Sequence, residues 1–346
     1  MTEPLLPPGT AAWVVTDGKI GDEVQCFGLA EAMGLSPERR LIRPRAPWWW
    51  VMPYGPIDPR EASHRPGSPL TPPFPDVLLA AGRRTVPYMR HVKRLSPRTF
   101  TIFIKDPYTG LKTADLIWVP EHDRLRGPNV IVTLTPANRL GEALFAQARA
   151  APDLRMAHVP RPRLAMVLGG PSVNFAFDAD DARNLAALAR DAVASGHGVV
   201  ATPSRRTPAP VTQALREALE GAPAFVWDGE GANPYVDILA NSDVILVTSD
   251  SVNMIGEAVT TGKPVYVYEP AGKGHAKMTA LVESLAARGA VRRFAGSLAP
   301  FTYEPIISTP VMAAEAARRY RAFRGANPLS RLVGEGEGDG GRIPQQ

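Results

Sequence analysis

Short apolar runs alternate with helical patterns along the whole chain. The run inside AAWVVTD predicts a strand over 13–16, followed by a glycine-bearing turn and a helix over about 23–33 that Gly34 stops. The stretch 44–75 carries too many prolines for a regular element. Strands are then predicted at 76–81, 100–104, 115–119 and 130–134, with a helix over 86–95. A second proline- and arginine-rich stretch, 152–163, marks a domain boundary.

Beyond it the alternation is cleaner. Strands fall at 164–168, 198–202, 224–227, 243–248 and 264–268; helices fall at 179–195, 211–219, 235–241, 251–261 and 275–288. A last helix spans 311–323, and the glycine- and glutamate-rich tail from Gly334 is expected to be disordered. Continuous apolar strands between helices require cover on both faces, which is the mark of parallel sheets. The expected fold is α/β, with two doubly wound, Rossmann-like domains facing a cleft. The expected domains are residues 1–155 and 156–306, then a helical segment 307–326 and a tail 327–346.

In open parallel sheets, ligands lie beyond the carboxyl ends of the strands, so the residues just after each strand are the candidates. Thr248, Ser249, Asp250 and Ser251 close one buried strand and open a helix. One helix cap accounts for one of them, not four. Met254 and Glu257 follow in the first two turns; a carboxylate there is also favoured by the helix dipole alone.

Arg83-Arg84 and Ser204-Arg205-Arg206-Thr207 put cations where a helix start disfavours them by about 0.3–1 kcal/mol. Either these arginines are solvated or paired, or an anion such as phosphate lies between them. Lys277 is a third cation so placed, within reach of a phosphate. Gly169-Gly170 after LAMVL suits a close backbone approach to a diphosphate, and equally a plain tight turn. Asp17 and Asp22 lie on a glycine-flanked strand-end loop, where Asp22 is either an N-cap or a general base; His122 beside Asp123 is a further candidate base. The patterns GxGxxG, GxxxxGK[ST] and GxSxG are absent, and no His/Asp/Glu cluster has metal-ligand spacing.

Composition changes this picture little. The single cysteine, Cys26, excludes a disulfide partner and a cysteine-based zinc site. The net charge of +5 comes from residues 1–150, which hold 19 Lys+Arg against 14 Asp+Glu, whereas the remainder balances at 20 each. That excess suits anionic lipid or phosphate; nucleic acid is not an expected partner. The opening MTEPLLPPGT lacks the basic and apolar regions of a signal peptide, and no apolar run reaches the roughly 20 residues of a membrane span. A cytoplasmic protein, peripheral at most to the inner membrane, is expected. Trp48-Trp49-Trp50 with Val51, Met52 and Tyr54 either plugs the first domain or meets a membrane surface or greasy acceptor.

The segments TDGKIGDEVQCFGLAEAMG, PEHDRL, VLGGPS, PSRRTP and VTSDSVNMIGEAVTTGKPVYVYEP, in this order, resemble the mitochondrial fission Elm-like family, named for plant proteins and widespread in proteobacteria. The resemblance runs from about residue 12 to 325 and implies a GT-B glycosyltransferase-like fold whose last helix crosses back to the first domain. It also implies distant similarity to the enzyme that adds N-acetylglucosamine to lipid-linked muramyl peptide. On that basis Glu257 would bind ribose hydroxyls of a nucleotide-diphosphate sugar. Ser249 to Ser251 with Arg205 would surround the diphosphate, and the loop around Gly18 and Gly21 would serve from the other domain. No cofactor or metal is implied. Bacterial relatives commonly carry His where this chain has Asp22, so a carboxylate there would have to take the place of a histidine base. The implied activities are transfer of a sugar to an acceptor, lipid-linked or at a membrane surface, or nucleotide-sugar 2-epimerisation. The plant members imply a third, non-catalytic role in partner binding.

Overall fold

The computed structural model describes residues 5–326; the expected disordered tail lies outside the described residues. The first sheet consists of β1 (Ala12–Thr16), β2 (Glu38–Leu41), β3 (Val77–Ala81), β4 (Phe100–Ile104), β5 (Leu116–Pro120) and β6 (Val130–Thr133). Their spatial order is β2-β1-β3-β4-β5-β6. β1, β3, β4 and β5 are buried at every position, as strands covered on both faces must be. Helices α1 (Ile20–Ala32) and α2 (Val86–Leu95) follow β1 and β3.

The second sheet consists of β7 (Arg163–Leu168), β8 (Gly198–Pro203), β9 (Ala224–Val226), β10 (Val244–Thr248), β11 (Val265–Tyr268) and β12 (Val291–Arg293), in the order β12-β11-β10-β7-β8-β9. Its helices are α4 (Ala179–Ala194), α5 (Ala209–Ala218), α6 (Tyr235–Asn241), α7 (Val252–Val259) and α8 (Ala276–Ala287); α3 (Glu142–Ala150) precedes them. Both sheets are parallel and doubly wound. The winding reverses between β1 and β3 in the first sheet and between β7 and β10 in the second. A crevice opens beyond the strand ends at such reversals, which singles out the loops after these four strands.

By compactness the chain divides into one unit containing residues up to Trp118, Gly127–Ile131 and everything from Met312, and a second containing Val119–Arg126 and Val132–Val311. The division precedes the 152–163 linker because α3 belongs to the second core. Leu140, Phe145 and Ala148 are buried with the strands of the second sheet, and Asn241 Nδ2 donates to the Ala148 carbonyl at 3.3 Å. The last helix, α9 (Thr309–Ala326), ends on the first unit. There Tyr320 and Phe323 pack their rings on Phe100, and Arg324 pairs with Asp76 at 2.9 Å.

The proline-rich stretch of the first unit forms only two 3-10 turns, Trp48–Trp50 and Pro59–Glu61. Buried Asp58 fastens it by accepting from Arg45 Nε and Nη2, both at 2.8 Å, and from the Arg60 amide at 3.0 Å. Arg45 thereby holds the Asp58 carboxyl down at about 2. Met52 and Leu70 go under as a plug, but Trp50, Val51 and Tyr54 remain outside.

Candidate functional site

At the reversal of the second sheet, Asp250 knots three loops together. Its side chain is fully enclosed. Oδ2 accepts from the Gly170 amide at 3.0 Å and from Arg206 Nη2 at 2.9 Å, while Oδ1 accepts from Thr248 Oγ1 at 2.7 Å. Thr248 Oγ1 in turn accepts from the Gly169 amide at 2.8 Å, and Arg206 Nη1 donates to the carbonyls of Gly170 and Pro171 at 3.1 Å. Ser204 and Thr207 close the neighbouring turn, the Ser204 amide donating to Thr207 Oγ1 at 2.8 Å.

Both glycines are required by this knot itself. A Cβ on Gly169 would stand 2.0 Å from Asp250 Oδ1, and one on Gly170 would stand 2.2 Å from the Arg206 carbonyl oxygen. Since a main-chain oxygen cannot move aside as a flexible side chain can, Gly170→Ala is expected to cost about 1–3 kcal/mol in urea unfolding. A loss below about 0.5 kcal/mol would show that the loop yields freely.

The knot changes the roles of several candidates. Asp250, Arg206 and Thr248 are engaged with one another, so the row of polar residues is largely structural. Ser251 caps α7, accepting from the Met254 amide at 3.4 Å, and the Ser249 amide donates to the Tyr268 carbonyl at 2.9 Å. Arg205 is different: it is exposed and makes no hydrogen bond or ion pair among the described residues.

Glu257 lies in the second turn of α7 and is partly accessible. Its Oε2 accepts from the Tyr235 hydroxyl at 2.6 Å, and no cation pairs with it among the described residues. Burial raises its carboxyl to about 7, against the opposing effect of the Tyr235 hydrogen bond. Burial and the neighbouring carboxylate push the Tyr235 hydroxyl well above its ordinary value, so it stays a donor. Tyr235 opens α6 after a loop without an apolar pattern, and nothing in the sequence singled it out.

Also in the second unit, buried Asp123 is ion-paired with Lys277, so Lys277 neutralises an acid rather than standing ready for phosphate alone. Asp123 does not orient His122. His122 Nδ1 is buried without a hydrogen-bond partner, and burial lowers its pKa, with Lys277 and His275 adding to the effect against Asp123. It is therefore a neutral imidazole with one ring nitrogen unoccupied. His275 caps α8, its Nδ1 accepting from the Lys277 amide at 3.1 Å.

In the first unit, the loops after β1, β3 and β4 converge. The α1 helix starts at Ile20 with Lys19 in the cap position, so Asp22 is not an N-cap but a first-turn residue. Asp22 Oδ1 pairs with Lys105 Nζ at 2.5 Å, and Gly82 approaches it so closely that a Cβ would lie 2.9 Å from Oδ2. Lys105, the residue just after β4, has a left-handed conformation, φ 77°, of the strained kind concentrated at functional sites. The rule that strand-end residues are informative, applied to β4, would have found it. The Asp17 carboxylate is buried, and neither oxygen has a hydrogen-bond partner. Among the described residues its only close cations are Lys19 Nζ at 3.4 Å and Arg84 Nη1 at 3.8 Å. Arg83 Nε donates to the Met52 carbonyl, and Arg84 lies over the Trp49 ring, so this arginine pair serves mainly to hold the proline-rich stretch. Among the described residues no group of three or more His, Cys, Asp or Glu is arranged to hold a metal ion.

Two doubly wound parallel sheets, with the last helix returned to the first unit, define a GT-B-like α/β protein. Solved structures agree in fold. UDP-GlcNAc 2-epimerase from Neisseria meningitidis bound to UDP-GlcNAc superposes with TM-score 0.51 at 12% identity, covering 92% of this chain and 98% of that one. Os79 from O. sativa in complex with UDP gives 0.50 at 12% identity, covering 90% and 94%. The chain belongs to the mitochondrial fission ELM1 family, whose pattern matches residues 20–320. It is 31% identical over 277 residues to the mitochondrial fission protein ELM1 of Arabidopsis thaliana, covering 71% of this chain and 63% of the plant protein. It is 25% identical over 271 residues to the uncharacterized protein RP120 of Rickettsia prowazekii (strain Madrid E), covering 67% and 76%. No helix among the described residues is long and apolar enough to cross a membrane.

Proposed function

We propose that the second unit binds a nucleotide-diphosphate sugar and that the protein transfers the sugar to an acceptor. The observation that carries this reading is Glu257. A partly open carboxylate with no cation paired to it among the described residues, held by one tyrosine hydroxyl beyond the reversal of a parallel sheet, has acceptor sites left for a vicinal diol such as ribose. Arg205 and the amides at the start of α7 would meet the diphosphate, with Ser249 and Ser251 beside them. Gly169, Gly170, Ser204, Arg206, Asp250 and Lys277 would act by shaping and charging that surface, and Met254 would pack beside the ligand. The Neisseria meningitidis epimerase is bound to UDP-GlcNAc and Os79 is in complex with UDP, which supports a uridine nucleotide as the first to try.

For a proton acceptor the chain offers His122, neutral and with an unoccupied ring nitrogen, and the carboxylates Asp17 and Asp22. Asp22 is tied to Lys105, which leaves Asp17 and His122 the freer groups.

A panel of nucleoside diphosphates tested by thermal unfolding decides the binding step. A ligand at about 100 times its Kd should raise the midpoint by roughly 5 °C in the wild type and not at all in Glu257→Ala, while NAD should do nothing. Equal shifts in both proteins would remove Glu257 from the site. Release of free nucleoside diphosphate only when an acceptor is added would mark transfer; inversion at the sugar 2-position with the nucleotide still attached, and no net release, would mark epimerisation. No shift by any nucleotide would leave the fold to a partner-binding role.

A further inference from the structure

The proline-rich stretch turns an apolar edge outward. Trp50 is 61% exposed and Tyr54 73%, Val51 lies between them, and Tyr108 from the loop after β4 is 66% exposed. These side chains form one patch. Trp49 and Trp50 meet edge to face at 6.0 Å, Val51 packs against Gly55, and the Tyr54 hydroxyl donates to the Tyr108 carbonyl at 3.0 Å. Beside the patch, and sharing Tyr54 with it, is a hollow of about 530 Å³ whose wall carries Arg90, Lys93, Arg94 and Lys112 and no carboxylate. Lys93 is held by Asp115 at 2.7 Å, and Arg90 reaches the Pro53 carbonyl at 3.4 Å. The side chains of Arg94 and Lys112 make no hydrogen bond or ion pair among the described residues, and both residues are exposed.

Aromatic rings with polar tips favour the headgroup level of a bilayer, and clustered cations favour its anionic surface. A hollow bearing four cations next to such an aromatic rim has the complementary charge and depth for a phosphate headgroup. We infer that this face of the first unit docks on an anionic phospholipid surface, with Trp50, Val51, Tyr54 and Tyr108 at headgroup level and a lipid phosphate beside Arg94 and Lys112. The surface is independent of the sugar-nucleotide reading, and each can fail without the other.

The test is co-sedimentation of the full chain with vesicles of phosphatidylcholine mixed with phosphatidylglycerol, against vesicles of phosphatidylcholine alone. Binding to the mixed vesicles, falling with salt and accompanied by a blue shift of tryptophan emission, is expected. A cation near such a surface contributes about 1 kcal/mol, or about fivefold. Arg94→Gln with Lys112→Gln should therefore weaken binding roughly 25-fold. Trp50→Ser with Tyr54→Ser should reduce both the blue shift and the binding, with circular dichroism confirming the fold. As a control of equal charge, Arg190→Gln with Arg216→Gln removes two exposed cations of α4 and α5 in the second unit and should change binding less than about twofold. Equal binding to both vesicle types, absence of binding at low salt, or equal weakening by the control pair would each overturn the inference.

Discussion

Asp250→Ala should destabilise the protein by about 3 kcal/mol in urea unfolding, a larger effect than any other single change at the strand ends. The substitution strands the Gly170 amide and the Thr248 hydroxyl, two donors enclosed by the loops they hold, at about 1–3 kcal/mol each. Arg206 adds less, because its side chain is half exposed and water replaces the lost partner. Asp250→Asn keeps one acceptor oxygen and should recover part of the loss. A fall of less than about 0.5 kcal/mol for the alanine variant would mean the knot contributes nothing to the fold.

The second large effect is a change in the pH dependence of stability. Glu257 has a folded-state pKa of about 7 against an ordinary value of 4.5, so the folded protein prefers it protonated. Its contribution is whole below about pH 4.5 and is lost as pH rises through about 7, amounting to about 3 kcal/mol by proton linkage. Glu257→Gln has no proton to lose, and its amide oxygen can still accept from Tyr235. Between those two pH values the variant should gain about 3 kcal/mol of stability relative to the wild type. Parallel stability curves for the two proteins would show that the carboxylate is ionised at little cost.

The second half of the fold was the more legible in the sequence. Its strands are continuous apolar runs between helices of clear period, and the structure moves their ends by only a residue or two. What escaped were elements without that signature. β2 (ERRL) and β12 (VRR) are edge strands whose pairing partners, not their own patterns, make them strands. The α3 helix is short, and only the core it packs on reveals that it belongs beyond the domain boundary. The α1 helix begins a turn early because its cap is Lys19, a residue type with no capping chemistry.

The site divides in the same way. Strand-end position draws attention to loops where polar residues gather, but sequence adjacency does not tell which of them face one another. Asp250 and Arg206 are far apart in sequence and hold each other, as do Asp22 and Lys105. The glycines after β7 suit either a close approach to a diphosphate or a plain tight turn, and in the structure it is Asp250 and Arg206 that approach them. Tyr235 had no local signal at all; its role exists only through its contact with Glu257.

Titration calorimetry of the wild-type protein with UDP, from about pH 6 to about pH 8, tests the central claim most directly. Ribose hydroxyls donate to the ionised form of Glu257, so binding must draw off its proton below a pKa of about 7. Affinity should rise with pH across that range, with proton release at the acid end, and Glu257→Gln should bind weakly and without the pH dependence. A wild-type affinity that is flat or falling across the range, or an unaltered one in Glu257→Gln, would contradict a ribose-binding role for this carboxylate.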